Sequence, residues 1–170
     1  MGPILYLDYD GVLHPSDVRI TKAEPLRPRI YQNGRPTDRL LFENAPLLAC
    51  ILEAFPEVRI SLATSWVRIL GYEFAVQQLP PALRARVVGT IWQGSMLRFP
   101  PQRRHDAITG DAEERGGGER WLALDDDIEG WPADRRHLVI APTDSWQGLP
   151  RWRLCTTVPA NWHQCQGPVE

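Results

Sequence analysis

Short apolar runs, separated by amphipathic or polar segments, recur along the first 141 residues of the chain. These runs are candidate β-strands because they are continuous and too short for buried helices. They are ILYL at 4–7, VRISLAT at 58–64, RVVGTIW at 86–92, WLAL within RWLALDDD at 120–127, and RHLVIA at 136–141. Continuous apolar strands, without alternating polar residues, are typical of a parallel sheet that is covered on both faces.

Segments with apolar residues at helical spacing lie between these runs. The predicted helices cover 37–55, 65–79 and 102–114. The first begins at an N-cap, Thr37 or Asp38, with Pro46 near its start or at a break. The alternation of strands and helices predicts an α/β three-layer sandwich with a mostly parallel, Rossmann-like sheet.

Two segments do not follow this alternation. Residues 14–37 are rich in Pro, Gly, Arg and polar residues, and predict a long loop or a small flap. Residues 142–170 show no clear periodicity and predict an irregular tail packed on the same domain. The predicted organisation is therefore one catalytic domain over 1–141, with a flap at 14–37 and this C-terminal tail.

The composition excludes several classes of protein. The net charge of −2 gives no strong attraction to nucleic acid or to an anionic membrane. No apolar run approaches the roughly 18 residues of a membrane span, and the N-terminus lacks the features of a signal peptide. Three cysteines without a CxxC pair favour reduced thiols. These features predict a soluble cytoplasmic protein.

Polar residues of chemical interest follow three of the predicted strands. Asp8 and Asp10 follow the first, Thr64 and Ser65 end the second, and three acids at 125–127 follow the fourth. Ligands of open parallel sheets bind at the carboxyl ends of the strands, so these groups are expected to converge.

Clustered carboxylates repel each other unless a cation joins them, and Mg²⁺ prefers oxygen ligands. Each motif alone has a simpler explanation as a turn, a helix cap or a solvated loop. Together they predict metal-assisted phosphoryl transfer.

These motifs resemble those of the haloacid dehalogenase (HAD) superfamily. YLDYDGVLHP resembles its first motif, DxDGxL; ISLATSW resembles the second, and WLALDDD the fourth. The resemblance to the superfamily covers roughly residues 4–141, and the combination of motifs most resembles small HAD domains associated with bacterial RNA-repair proteins. The resemblance implies a HAD-like fold. The short spacing between the motifs leaves room for little or no cap.

The resemblance implies a role for each acidic residue. Asp8 would be the nucleophile that forms an aspartyl-phosphate, and Asp10 would be the general acid and base. Mg²⁺ would be held by Asp8, the backbone carbonyl of Asp10 and Asp126. Asp125 would bind the metal through a water molecule, or would contact the ligands without contacting the metal.

Further residues are expected to hold the phosphoryl group and the substrate. The resemblance implies that Thr64 binds the phosphoryl group, with Ser65 as the alternative. Gly11 would let the chain turn close to the site. Trp66 follows the second motif and could lie at the rim of the site, where an exposed indole can stack on a base. Packing in the core is the alternative for Trp66.

The chain departs from the superfamily at the third motif, which usually supplies a lysine. The only lysine is Lys22, far from the expected position. Arg103 and Arg104 begin the helix that precedes the fourth-motif strand, and Arg104 is the preferred replacement. Arginine binds phosphate bidentately but is not equivalent to an ammonium group.

The predicted function is a Mg²⁺-dependent phosphatase acting through an aspartyl-phosphate, on a nucleotide or a nucleic-acid terminal phosphate. The open site expected without a cap suits large substrates. The alternative is a non-catalytic HAD-like binding or interaction module, although both aspartates of the first motif are present. A signalling receiver domain is disfavoured because no acid ends the TIW strand and no suitable lysine exists. The sequence does not specify the oligomeric state.

Overall fold

The computed structural model describes residues 2–93, 103–116, 120–142 and 144–148. The strands in these ranges are β1 (Ile4–Leu7), β2 (Val18–Thr21), β3 (Glu24–Gln32), β4 (Arg35–Pro36), β5 (Arg59–Leu62), β6 (Val87–Thr90), β7 (Trp121–Leu124) and β8 (Val139–Ile140). The α-helices are α1 (Ala45–Glu53), α2 (Trp66–Leu70), α3 (Tyr72–Gln78), α4 (Pro81–Arg84) and α5 (Arg104–Glu114).

The main sheet has five parallel strands in the order β6-β5-β1-β7-β8. Every residue of β1 and β7 is buried. Successive side chains of a strand point to opposite faces, so both faces of the sheet centre are covered. Buried side chains of α1, α3 and α5 belong to the same core cluster as the strands. The predicted α/β architecture with a parallel sheet is confirmed.

The first predicted helix begins later than expected. The chain forms turns before α1, which starts at Ala45 with Asn44 as its N-cap. Pro46 occupies the first turn, where the missing N–H costs nothing and the fixed φ suits a helix. The prediction of a start at Thr37 or Asp38 is therefore wrong, because Pro46 opens the helix instead of breaking it.

Two further predicted elements differ in detail. The helix predicted over 65–79 is divided into α2 and α3 at Gly71, whose φ of +95° lies outside helical geometry. The strand predicted over 136–141 is only β8, preceded by a 3-10 helix at Arg136–Leu138. In both places the apolar pattern continues but the backbone changes, at Gly71 in the first case and in the 3-10 helix in the second.

The segment at 14–37 is a small antiparallel sheet of β2, β3 and β4. Most of its side chains are exposed, and only Ile30 is fully buried. The segment is therefore a small sheet and not a long loop without strands. Strands with so few buried positions lack the apolar pattern from which strands are predicted.

Residues 144–148 pack beside the start of α1. Asn44 Nδ2 donates to the Gln147 carbonyl at 3.1 Å, and the Ser16 N–H donates to the Ser145 carbonyl at 3.1 Å. Most of the predicted tail lies outside the described residues. In the part of the chain that is described, no helix has the length and apolarity that crossing a bilayer requires.

Candidate active site

The carboxyl ends of the three central strands form the edge at which the candidate site lies. Leu7 at the end of β1 is in register with Leu62 of β5 and Leu124 of β7. The residues that follow these strands are therefore at the same level, and the Asp8 N–H donates to the Leu124 carbonyl at 3.0 Å. This register brings Asp8 beside Asp125, 117 positions later in the sequence.

Three carboxylates meet at this edge. Asp8, Asp125 and Asp126 each offer an oxygen, and these oxygens lie within 4.8 Å of one another. Burial, followed by the negative charge of Asp8, raises the pKa of Asp125 to about 8 and that of Asp126 to about 6. Burial also raises the pKa of Asp8, against the opposing charge of Arg104. The cluster is therefore short of positive charge.

Arg104, the first residue of α5, supplies one cation to this cluster. Its guanidinium forms an ion pair with Asp8, and Nη1 lies 3.3 Å from Asp125 Oδ2. Burial works to lower the pKa of Arg104, but these carboxylates outweigh burial and raise it. Arg103 is exposed, and its side chain lies against Gly130. Of the two arginines, the structure places Arg104 at the carboxylates.

The cluster fits a hard divalent cation. All the available ligand atoms are carboxylate oxygens, which Mg²⁺ prefers. Asp125 Oδ2 is buried and has no hydrogen-bond partner among the described residues, although it is ion-paired with Arg104. A second positive charge would relieve the repulsion that raises the pKa values of these acids. The residues present could therefore hold Mg²⁺.

The carboxylate of Asp10 has different surroundings from that of Asp8. Both of its oxygens accept from Trp66 Nε1, each at 3.1 Å. His14 Nδ1 lies 3.8 Å from Asp10 Oδ1. Burial and the charge of Asp8 raise the pKa of Asp10 to about 7, against the Trp66 hydrogen bond. Near neutral pH, Asp10 can therefore both hold and release a proton, as a general acid and base must.

The other predicted residues surround the two aspartates. Thr64 is buried, and a hydrogen bond from its side chain opposes the rise in the pKa of Asp8. Ser65 occupies the N-cap position of α2, without a side-chain capping hydrogen bond, and lines a cavity with Asp10. Gly11 has a φ of +72°, and a Cβ atom there would collide with the side chain of Asp126. Glycine is thus required at position 11 by both conformation and space.

Trp66 is placed differently from the expectation of an exposed stacking surface. Its side chain is only 4% exposed and packs against Tyr9, His14 and Phe42. Core packing leaves little of the indole accessible at the rim of the site. Trp66 is instead placed to position Asp10, because its indole N–H donates a hydrogen bond to that carboxylate.

Sequence reasoning gave no role to His14, although it lies in the first motif. The ring is fully buried, and burial lowers its pKa to about 4, so it is neutral near pH 7. It packs edge-on against Phe42 and forms a β-bridge with Asp10 through the backbone. The sequence signal that could have drawn attention to His14 is its position directly after DxDGxL. Its contacts could not be predicted, because Phe42 and Trp66 are distant in sequence.

The raised pKa of Asp125 predicts a pH-dependent stability in metal-free protein. Unfolded Asp125 loses its proton near pH 3.8, whereas the folded protein retains it up to about pH 8. Raising the pH through this window therefore favours unfolding. In EDTA, Asp125→Asn should gain about 3 °C or more in Tm relative to wild type between pH 4 and pH 8.

Thermal melts at several pH values check this expectation, with Asp134→Asn as the control because Asp134 is exposed. Adding Mg²⁺ at pH 8 should stabilise the wild type more than Asp125→Asn. A constant difference between Asp125→Asn and wild type across the pH range would contradict the expectation.

The parallel α/β fold, with DxDG after its central strand and further acids after β7, defines a protein of the HAD class. The family model for the HAD domain in Swiss Army Knife RNA repair proteins matches residues 4–151, and the chain belongs to this family. The resemblance inferred from the motifs is thereby confirmed. The family lies in a superfamily of phosphatase-type hydrolases. No curated protein sequence matches the chain.

Proposed function

We propose that the protein is a Mg²⁺-dependent phosphomonoesterase that acts on a nucleotide or a nucleic-acid terminal phosphate. The observation that carries this proposal is the contrast between the two aspartates of the first motif. Asp8 faces Arg104 and the carboxylate cluster, whereas Asp10 is held by Trp66 with a pKa near 7. This contrast supports separate roles as nucleophile and acid–base.

In the first step, an Asp8 oxygen attacks phosphorus and the bond from phosphorus to the leaving oxygen breaks. Asp10 gives its proton to that oxygen, so the leaving group departs as a neutral alcohol. Arg104 and Thr64, with Ser65, hold the phosphoryl oxygens. A Mg²⁺ held by Asp8, Asp126 and the backbone carbonyl of Asp10, with support from Asp125, would neutralise negative charge on the phosphoryl group.

In the second step, water attacks the phosphorus of the aspartyl-phosphate. Asp10, now ionised, takes the proton of that water, and the bond between phosphorus and Asp8 breaks. Inorganic phosphate leaves, with Asp8 ionised and Asp10 protonated again. One acidic group thus serves both steps, which requires a pKa near the working pH.

The first experiment is hydrolysis of p-nitrophenyl phosphate with Mg²⁺ and with EDTA. The second compares 3′- and 5′-phosphorylated oligonucleotides with mononucleotides. Metal-dependent release of phosphate supports the proposal. Thermal stabilisation by Mg²⁺ without release from any of these substrates would favour the non-catalytic binding module.

The family description, RNA repair proteins, supports a nucleic-acid end as the substrate.

A cytoplasmic location is part of the same proposal. Cys50, the one cysteine in the described ranges, is free and exposed, which suits a reducing compartment.

Trp66→Phe is expected to lower kcat about tenfold or more, because Asp10 loses its hydrogen-bond donor and its fixed position. Phe retains most of the ring contacts, so the fold should persist. Trp131→Phe is the matched control, since Trp131 is also buried but its Nε1 has no partner among the described residues. Steady-state kinetics check this expectation. Equal kcat values for the two variants would contradict it.

A further inference from the structure

A cavity of about 240 Å³ lies between the flap and α2. Its lining is mostly apolar and consists of Val18, Ile20, Trp66, Ile69 and Leu70, together with the polar residues Asp10 and Ser65. Two of these apolar side chains are unusually exposed: Ile20 is 37% exposed and Ile69 is 65% exposed. Both exposed residues therefore border one cavity that reaches the candidate site.

The flap strand β2 is built to present an apolar face to this cavity. Val18 and Ile20 both line the cavity, whereas Arg19 between them does not. Arg19 is paired with the neighbouring Asp17, its Nε lying 2.7 Å from Oδ1. Among the described residues, the lining includes no basic side chain.

We propose that this cavity binds a flat, uncharged ring carried by the leaving group of the substrate. The inference rests on the proposed function, in which Asp10 gives its proton to the leaving oxygen. Because Asp10 lines the cavity, the group attached to that oxygen has this apolar space beside it. The substrate class is therefore a phosphomonoester of an aromatic alcohol or of a nucleoside.

Size and charge restrict the occupant. Cavities for drug-sized ligands usually measure about 300–1,000 Å³, so this open cavity covers about one ring system, and a larger group would extend into solvent. An apolar wall without a cation disfavours a second phosphate, because its charge would be desolvated without a partner. Sugar phosphates that lack a base, and substrates that would place a second phosphate in this cavity, should therefore be poor substrates.

The test is the binding of two non-hydrolysable probes, benzylphosphonate and methylphosphonate, measured by calorimetry with Mg²⁺ present. The wild type should bind benzylphosphonate about tenfold more tightly, because the benzyl ring is removed from water. Ile69→Gln should abolish most of this preference and leave methylphosphonate binding unchanged. Leu40→Gln is the matched control, since Leu40 is 72% exposed and does not line the cavity.

The two phosphonates also distinguish this inference from the proposed function. A ring preference that Ile69→Gln removes, in a protein that releases no phosphate, would support the cavity and refute the phosphatase. Equal affinity for both probes, no binding of either, or a preference unchanged in Ile69→Gln would overturn the inference.

If turnover occurs, comparison of phenyl phosphate with nucleoside monophosphates shows which ring is preferred. Glycerol phosphate should be the poorest substrate, and equal kcat/KM for it would also overturn the inference.

Discussion

Asp8→Asn should lower kcat by at least about a thousandfold, because a carboxamide cannot attack phosphorus as the carboxylate does. The loss should affect every phosphomonoester that the wild type hydrolyses. Phosphate release from p-nitrophenyl phosphate, with Mg²⁺ present, is the measurement. Asp17→Asn is a suitable control, since Asp17 is a surface acid of the flap paired with Arg19.

The Asp8→Asn variant should remain folded. Asp8 Oδ1 accepts from the Tyr9 N–H at 2.8 Å, and an asparagine oxygen can accept the same bond. The substitution also removes the charge of one of the three clustered carboxyl groups, so metal-free Tm should not fall substantially. Turnover near that of the wild type in a folded Asp8→Asn protein would refute the assignment of the nucleophile.

Arg104→Gln should lower kcat/KM by about a hundredfold or more, which is the usual effect of removing a group that stabilises transition-state charge. Arg104 forms ion pairs with Asp8 and Asp125, whereas Arg103 is its exposed neighbour. Arg103→Gln is therefore a matched control with the same change in charge. Arg104→Lys should recover only part of the activity, because an ammonium group lacks the bidentate geometry.

The stability of Arg104→Gln provides a second readout. Without the guanidinium, Asp8 and Asp125 are left buried without the cation that now pairs with them, so metal-free Tm should fall. Mg²⁺ should restore much of this stability but not the activity, because in the proposed mechanism Arg104 also holds the phosphoryl oxygens, a contact that the metal ion would not replace. Equal activities of Arg103→Gln and Arg104→Gln would contradict a specific role for Arg104.

The geometry of the cluster supports the hypothesis that an arginine fills the role of the usual third-motif lysine. Arg104 is partly buried, with 18% of its side chain exposed, and contacts two carboxylates at once. A guanidinium remains charged in such surroundings, whereas a buried ammonium group more readily loses its proton. The sequence favoured Arg104 over Arg103 without settling the choice, and the structure places Arg104, not Arg103, at the carboxylates.

The sequence by itself determined the parallel sheet and the position of the acids. ILYL and WLAL are short apolar runs whose burial is encoded locally, and parallel strands must end at a common edge. Asp8 and Asp125 follow these runs directly, so their convergence could be predicted without knowledge of the loops. The motifs also identified the family, because their residues and order are specific.

Only the tertiary structure decided how the side chains around Asp8 and Asp10 are arranged. The burial of Trp66 behind Asp10, the packing of His14 on Phe42 and the cavity beside the flap all join segments distant in sequence. No local pattern encodes these contacts, since they depend on how the flap and the first turns before α1 fold over the sheet edge. Apolar periodicity determines which residues are buried, whereas long-range packing determines which atoms each buried residue contacts.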